Sequence, residues 1–262
     1  MIFLFDLDGT LAESGKQIDN NISILLNKIK NKYNIKFGIL GGGVFDKIKF
    51  QLNDNISLFD YIFSECGSVI YHKNNTNDNY FNLIKKNNLI EFMGNEELDK
   101  INKFIKNIII ENKFINNLNS EQYGKNYLNI FDKLKFIDVR NGLIYISPVG
   151  LLSNDIFRSK FLEYENNCNF RNKLINILNS VIDTEIYDVV LGGSIGISIY
   201  PKIWNKAQVV DYIKSENINN IYFFGDKTMP NGNDYPIYIH DDVNGFSVDN
   251  IYDTQKILSF FI

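Results

Sequence analysis

Short apolar runs separated by amphipathic stretches set the pattern of the first quarter of the chain. Ile2–Phe5 is apolar at every position and suits a buried central strand. Ile18, Ile22, Leu25, Ile29 and Tyr33 then recur at helical spacing. A second apolar run, "IKFGIL" from Ile35, stops at Gly41-Gly42-Gly43, and Phe45–Leu52 reads as the next helix. "LFDYIF" from Leu58 reads as a third strand. Such strand–loop–helix units predict a parallel sheet with helices on both faces. Ligands of a sheet of this kind gather at the carboxyl ends of its strands.

The rhythm then changes. Glu96–Ile110 is an amphipathic helix, with Leu98, Ile101, Ile105 and Ile108 on one face. "FIDV" and "LIYIS", separated by Arg140-Asn141-Gly142, read as a hairpin with Asn-Gly as its turn. One long helix is expected over Asp155–Leu178, followed by strands near Ile186–Leu191 and Ile195–Tyr200. The middle of the chain is thus an α+β insert in an α/β domain. That domain resumes with a helix from Asn205 and the strand "IYFF" from Ile221, which ends at Gly225-Asp226.

Composition narrows the function. The net charge is −4 with no long basic run, so no nucleic-acid partner is expected. Without basic patches, the 15 Tyr and 21 Phe read as core packing instead of stacking platforms. Cys66 and Cys168 are far apart and lack metal-ligand spacing, which fits reduced thiols in a cytoplasmic protein. No apolar stretch reaches membrane length, and Met1 leads straight into a strand, so no membrane partner is expected. The Asn-rich run "KNNTNDN" from Lys73 is read as loop or helix surface.

The candidate chemistry lies in "LFDLDGT" from Leu4 and in Gly225-Asp226. Asp6 and Asp8 directly follow a buried strand, where two carboxylates are costly unless a cation offsets them. Oxygen-only ligation beside a phosphate suits Mg²⁺, with Asp6, Asp8 and Asp226 as ligands. Asp6 would then attack phosphorus as nucleophile, and Asp8 would serve as acid and base. Gly9, Thr10 and the Gly41–Gly43 loop can offer N–H groups to phosphate oxygens, and Lys206 can screen the phosphoryl charge. Paired aspartates can instead merely cap turns. An apolar strand before both segments favours the functional reading.

These motifs resemble known ones. "FDLDGT" is similar to the nucleophile loop of the haloacid dehalogenase superfamily, and "IYFFGDKTMPNGND" to the metal-binding segment of its eukaryotic phosphomannomutase branch. "GILGGG", "FDYIFSECG", "RNGLIYISPVG", "GGSIGISIYP" and "GFSV" extend the likeness over nearly the whole chain. The resemblance implies a Rossmann-like α/β core over residues 1–85 and 203–262, with an inserted α+β cap over 86–202. It also implies a homodimer through the cap. The activity implied is a Mg²⁺-dependent interconversion of mannose 6-phosphate and mannose 1-phosphate through a hexose bisphosphate. By position, Asp6 is the nucleophile, Asp8 the acid/base, Lys206 the charge-screening lysine, and Asp226 and Asp234 flank the metal. Arg140 matches a cap arginine for the distal phosphate of the sugar; Lys133, Gly42, Gly43, Gly193 and Ser198 complete the expected substrate contacts.

The departures cluster on the substrate side. The family's arginines fall on Leu151 and Gly15, a cap-strand basic residue on Lys133, its serine and aspartate on Gly196 and Ser198, and a core serine on Gly43. Each lost charge-assisted hydrogen bond to phosphate costs roughly 1.5–3 kcal/mol. Two alternatives therefore stay open: a phosphatase or phosphotransferase for another sugar phosphate, and a non-catalytic relative that keeps the fold. Arg158, Glu163 and Arg171 match charged family positions on the long helix and are expected on a solvated face or in helical pairs.

Overall fold

Ile2–Phe5, buried at all four positions, forms β1 of the computed structural model, which describes residues 1–74 and 77–262. The first segment continues with α1 (Asn20–Lys32), β2 (Lys36–Leu40), α2 (Phe45–Leu52), β3 (Tyr61–Ser64), β4 (Val69–Asn74) and β5 (Asn77–Lys86). The middle segment holds α3 (Leu89–Met93), α4 (Asn95–Glu111), α5 (Lys113–Tyr123), β6 (Ile137–Val139), β7 (Ile144–Ile146), α6 (Asp155–Cys168), α7 (Phe170–Leu178), β8 (Tyr187–Gly192) and β9 (Gly196–Pro201). The last segment adds α8 (Val209–Ser215), β10 (Ile221–Gly225), α9 (Tyr235–Tyr238), β11 (Val243–Ser247) and α10 (Ile251–Ser259). The chain divides into two compact units, Met1–Asn87 with Ile203–Ile262, and Asn88–Lys202.

In the two-segment unit one sheet runs in the order β11-β10-β1-β2-β3-β4-β5. The first five strands are parallel, and β4 and β5 are antiparallel additions. Strand alternation sorts β1 between two cores. Phe3 and Phe5 pack with Phe37, Ile39 and Phe224 under α1, α2 and α10, whereas Ile2 and Leu4 pack with Phe63, Val209 and Phe223 under α8. The rings of Phe5 and Phe224 stack at 4.9 Å. Much of the phenylalanine content is therefore core.

The Asn-rich run from Lys73 corrects the loop expectation: Lys73 and Asn74 end β4 and Asn77 begins β5, while Asn75 and Thr76 lie outside the described residues. β3 also starts later than "LFDYIF" suggested. Asn53–Leu58 is a 3-10 turn, and the Asp60 carboxylate accepts from Phe37 N at 2.8 Å.

The inserted unit carries an antiparallel sheet in the order β6-β7-β9-β8 with helices α3–α7. The expected single helix over 155–178 is two, because Asn169 takes a left-handed conformation (φ 53°) that asparagine tolerates better than most residues. Among the described residues no helix is long and apolar enough to cross a membrane.

Candidate active site

Phe5 pairs with Phe224 on one side and Ile39 on the other. Asp6, Gly225-Asp226 and Gly41 therefore leave the sheet side by side at its carboxyl edge, where the strand order diverges about β1. The Asp6 N–H donates to Phe224 O at 2.8 Å, which fixes the first of these residues.

Lys206 binds this edge together. Asn205 caps the turn that carries it, accepting from Ala207 N at 2.8 Å. The fully buried Lys206 ammonium donates to Asp6 Oδ1 at 2.6 Å and to Asp234 Oδ1 at 2.5 Å. Asp234 is also buried, and its other oxygen accepts from the Lys227 N–H at 2.9 Å. Burial works against the Lys206 charge, but Asp234 and Asp6 overcome it and hold its pKa above that of an ordinary lysine. Burial pushes Asp6 up to about 8; Lys206 pulls it back, while Asp234 and Asp226 push it further. Burial raises Asp226 as well, opposed by the adjacent Lys227 ammonium.

Oxygens of Asp6, Asp226 and Asp234 lie within 4.8 Å of one another. Asp226 Oδ2 pairs with Lys227 Nζ, whereas Asp226 Oδ1 is buried with no hydrogen-bond partner. Three carboxylates, one of them with an orphaned buried oxygen, and no nitrogen or sulfur ligand among them, fit a hard divalent cation.

The Asp8 carboxylate lies outside this cluster. Its side chain is held by other donors: Lys47 Nζ on Oδ2 at 2.5 Å, and Gln51 Nε2 and Gly15 N on Oδ1 at 2.9 and 3.1 Å. Burial alone would raise its pKa. The Lys47 charge, with the hydrogen bonds from Lys47, Gln51 and Gly15, outweighs burial and holds it below the usual carboxylate range. Gly15 reaches Asp8 with φ +75°, a conformation that an arginine there would adopt only under strain.

Gly42 and Gly43 lie in the loop after β2. That loop is pinned by Glu65 N on Gly43 O and Cys66 N on Gly41 O, both at 3.0 Å. Gly42 lies close to Asn233 and Cys66, and Gly43 beside the Lys47 stem. Cys66 is a buried free thiol pushed up to about 11 by burial.

The inserted unit holds the remaining expected residues. Arg140 Nε pairs with Asp138 Oδ2 at 2.7 Å, and its guanidinium lies over the Tyr145 ring at 4.7 Å. Tyr145 OH donates to Gly192 O at 3.0 Å and faces Gly193. A Cβ on Gly196 would stand 2.2 Å from the same ring, so the tyrosine takes the room a serine side chain would need there. Ser198 is buried on β9, opposite Tyr145. Lys133 is exposed in a turn ahead of β6, not on a strand, because β6 begins only at Ile137. Arg158 is not on a solvated face: it donates to the carbonyls of Leu151 and Ser153, both at 2.8 Å. Arg171 pairs with Glu165 at 3.1 Å.

Four residues of the site escaped sequence reasoning: Lys47, Gln51, Lys227 and Asn233. The i,i+4 spacing of Lys47 and Gln51, on the helix that follows three glycines, was the available signal.

Sheet order and site define a protein with the haloacid dehalogenase fold. Among solved structures, the IMP-nucleotidase of Plasmodium falciparum matches 99% of this chain and 62% of its own, with a TM-score of 0.57 at 15% identity, a likeness of fold alone. Curated relatives are nearer. The phosphomannomutase of Encephalitozoon cuniculi is 34% identical over 97% of this chain and 91% of its own. That of Babesia bovis is 35% identical over 94% and 92%, and that of Saccharomyces cerevisiae 30% over 98% and 92%. Residues 22–262 match the family described as eukaryotic phosphomannomutase. The chain belongs to that family.

Proposed function

We propose that this protein interconverts mannose 6-phosphate and mannose 1-phosphate in the cytoplasm, through an aspartyl phosphate on Asp6 and a hexose bisphosphate. One observation carries the reading: Lys206 bridges Asp6 and Asp234 inside a buried cluster completed by Asp226. Membership of the family supports it.

Asp6 is the nucleophile, held by Lys206 on one oxygen. Asp8 gives a proton to the departing sugar oxygen and takes one from the attacking hydroxyl when the phosphate returns. Gly42 and Gly43 line a cavity with Asp6 and Asp8, where they would border the transferring group. Asp6, Asp226 and Asp234 would hold Mg²⁺, which supplies the positive charge that lets a carboxylate approach a phosphate. In the inserted unit, Arg140 takes the distal phosphate of the sugar, and that unit forms the homodimer contact. The core domain is assigned to residues 1–85 and 203–262, and the cap to 86–202.

The substrate-side residues support a second reading. Leu151 offers no charge where the family has an arginine, Gly196 no hydroxyl where it has a serine, and Arg140 is engaged by Asp138. A protein that hydrolyses the phosphoaspartate, or acts on a different sugar phosphate, would tolerate these changes. Incubation with Mg²⁺, mannose 1-phosphate and a trace of hexose bisphosphate, followed by phosphorus NMR, separates the readings. Mannose 6-phosphate is the expected product. Inorganic phosphate alone establishes the phosphatase, and an unchanged spectrum refutes both for this sugar.

A further inference from the structure

Asp8 has no idle oxygen. Lys47 Nζ sits on Oδ2, and Gln51 Nε2 and the Gly15 N–H share Oδ1. Lys47 and Gln51 stand one helical turn apart on the same face of α2, so one rigid element delivers both donors.

Gln51 is the more telling of the two. It is 1% exposed, in the last turn of α2. Its amide nitrogen is divided between Asp8 and Lys16 O (3.1 Å), its backbone carbonyl accepts from Ile18 N at 2.8 Å, and its Oε1 is buried without a partner. Leaving a buried oxygen unsatisfied costs stability, so an apolar residue would suit packing here better. What glutamine adds is the pair of N–H bonds, which tie the Asp8 carboxylate to segment 15–18.

We propose that Lys47 and Gln51 are positioning residues for Asp8: together with the Gly15 N–H they form a three-point clamp that fixes the carboxylate where it meets the sugar oxygen. The proposal rests on the reading of Asp6 as nucleophile and Asp8 as acid/base. A proton-transfer group works only within about 2.6–3.2 Å of its partner atom, so a carboxylate released to rotate loses that alignment.

The leaving group distinguishes positioning from phosphate binding. When Asp6 takes phosphate from a hexose bisphosphate, the Asp6 oxygen–phosphorus bond forms and the phosphorus–sugar oxygen bond breaks. The sugar oxygen leaves with a proton from Asp8, which has to be protonated for this half-reaction and is left ionised, ready to take the proton back on the return. When the donor is acetyl phosphate, the same bond forms on Asp6 and acetate departs without needing that proton. Loss of the clamp must slow the first reaction far more than the second. Loss of a phosphate ligand must slow both alike.

The test uses the full chain with Mg²⁺ and measures labelled phosphoenzyme by rapid quench, with hexose 1,6-bisphosphate or acetyl phosphate as donor. Lys47→Met is expected to slow labelling from the bisphosphate by at least about tenfold, and from acetyl phosphate by no more than about threefold. Lys47→Arg, which keeps the cation, is expected to recover most of the bisphosphate rate. Gln51→Leu should move in the same direction as Lys47→Met, with thermal unfolding reporting whether it folds. If it does not fold, the half-exposed Lys47 decides alone. Equal losses with both donors, or no loss with either, overturn the proposal. A wild-type protein labelled by neither donor overturns the underlying reading of Asp6, a result distinct from the other two.

Discussion

Charged side chains behave differently in the two units. At the carboxyl edge of the parallel sheet they converge: one buried ammonium serves two carboxylates from distant parts of the chain, with a third beside them. In the inserted unit they pair off locally, Arg140 with Asp138, Arg171 with Glu165, and Arg158 with nearby carbonyls. Convergence of like charge in a dry place is costly and persists where chemistry requires it, whereas local pairs satisfy themselves and serve the fold. The contrast separates a buried carboxylate cluster sharing one cation from a unit whose charged groups are committed to near neighbours.

The sharpest way to break the comparison is to remove the convergent charges. Asp6→Asn deletes the proposed nucleophile, and turnover should fall by roughly 10⁴-fold or more with no labelled phosphoenzyme. Activity near that of the wild type would move the chemistry elsewhere. Lys206→Met leaves Asp6 and Asp234 buried against each other without a counter-charge. In the metal-free protein this should cost about 3–5 kcal/mol in denaturant unfolding. Lys160→Ala, which opens an exposed pair with Glu121 in the inserted unit, should cost about 0–1 kcal/mol. Similar losses for the two variants would erase the distinction.

The next effect is a pH dependence. In the metal-free protein, burial holds Asp6 up to about 8, whereas an unfolded aspartate titrates near 3.9. Between these values the folded chain binds the extra proton, so metal-free stability falls as pH rises through that window. A cation at Asp6 displaces this proton, so its binding strengthens over the same window. Mg²⁺ should therefore raise Tm more at pH 8.5 than at pH 6.5. Equal increments at both values would place the cation away from Asp6.

The strands that position Asp6 and Asp226 were legible because buried parallel strands read as unbroken apolar runs: Ile2–Phe5 and Ile221–Phe224 announce themselves. The β4–β5 ribbon was not. Tyr80, Leu83 and Ile84 of β5 are exposed along with their polar neighbours, so no alternation of burial marks that edge strand. Asp6, Asp226 and Asp234 could be singled out from motif and resemblance, but the Lys206 bridge between Asp6 and Asp234 could not, because Lys206 and Asp6 are 200 positions apart. The engagement of Asp8 by Lys47 and Gln51 was hidden for another reason. A lysine and a glutamine on a short helix look like solvated surface until the glycine loop before them turns that face toward Asp8.

The smallest expected effect sharpens the comparison from the substrate side. Leu151, where the family resemblance implies an arginine, lies in a turn whose backbone is already held: its N–H donates to Lys135 O at 3.2 Å and its carbonyl accepts from Arg158 at 2.8 Å. A longer side chain there inherits a fixed starting point, so Leu151→Arg tests charge with little change of fold. If the inserted unit binds phosphate weakly because this cation is missing, the substitution should lower KM for the sugar bisphosphate by roughly tenfold, the worth of one charge-assisted contact. kcat should change much less, since Asp6, Asp8 and Lys206 are untouched. An unchanged KM would mean that the Tyr145 ring, seated over Gly196, has remodelled the surface beyond what one arginine restores. The inserted unit would then select a ligand other than a hexose bisphosphate, while the carboxyl edge of the parallel sheet keeps the same chemistry.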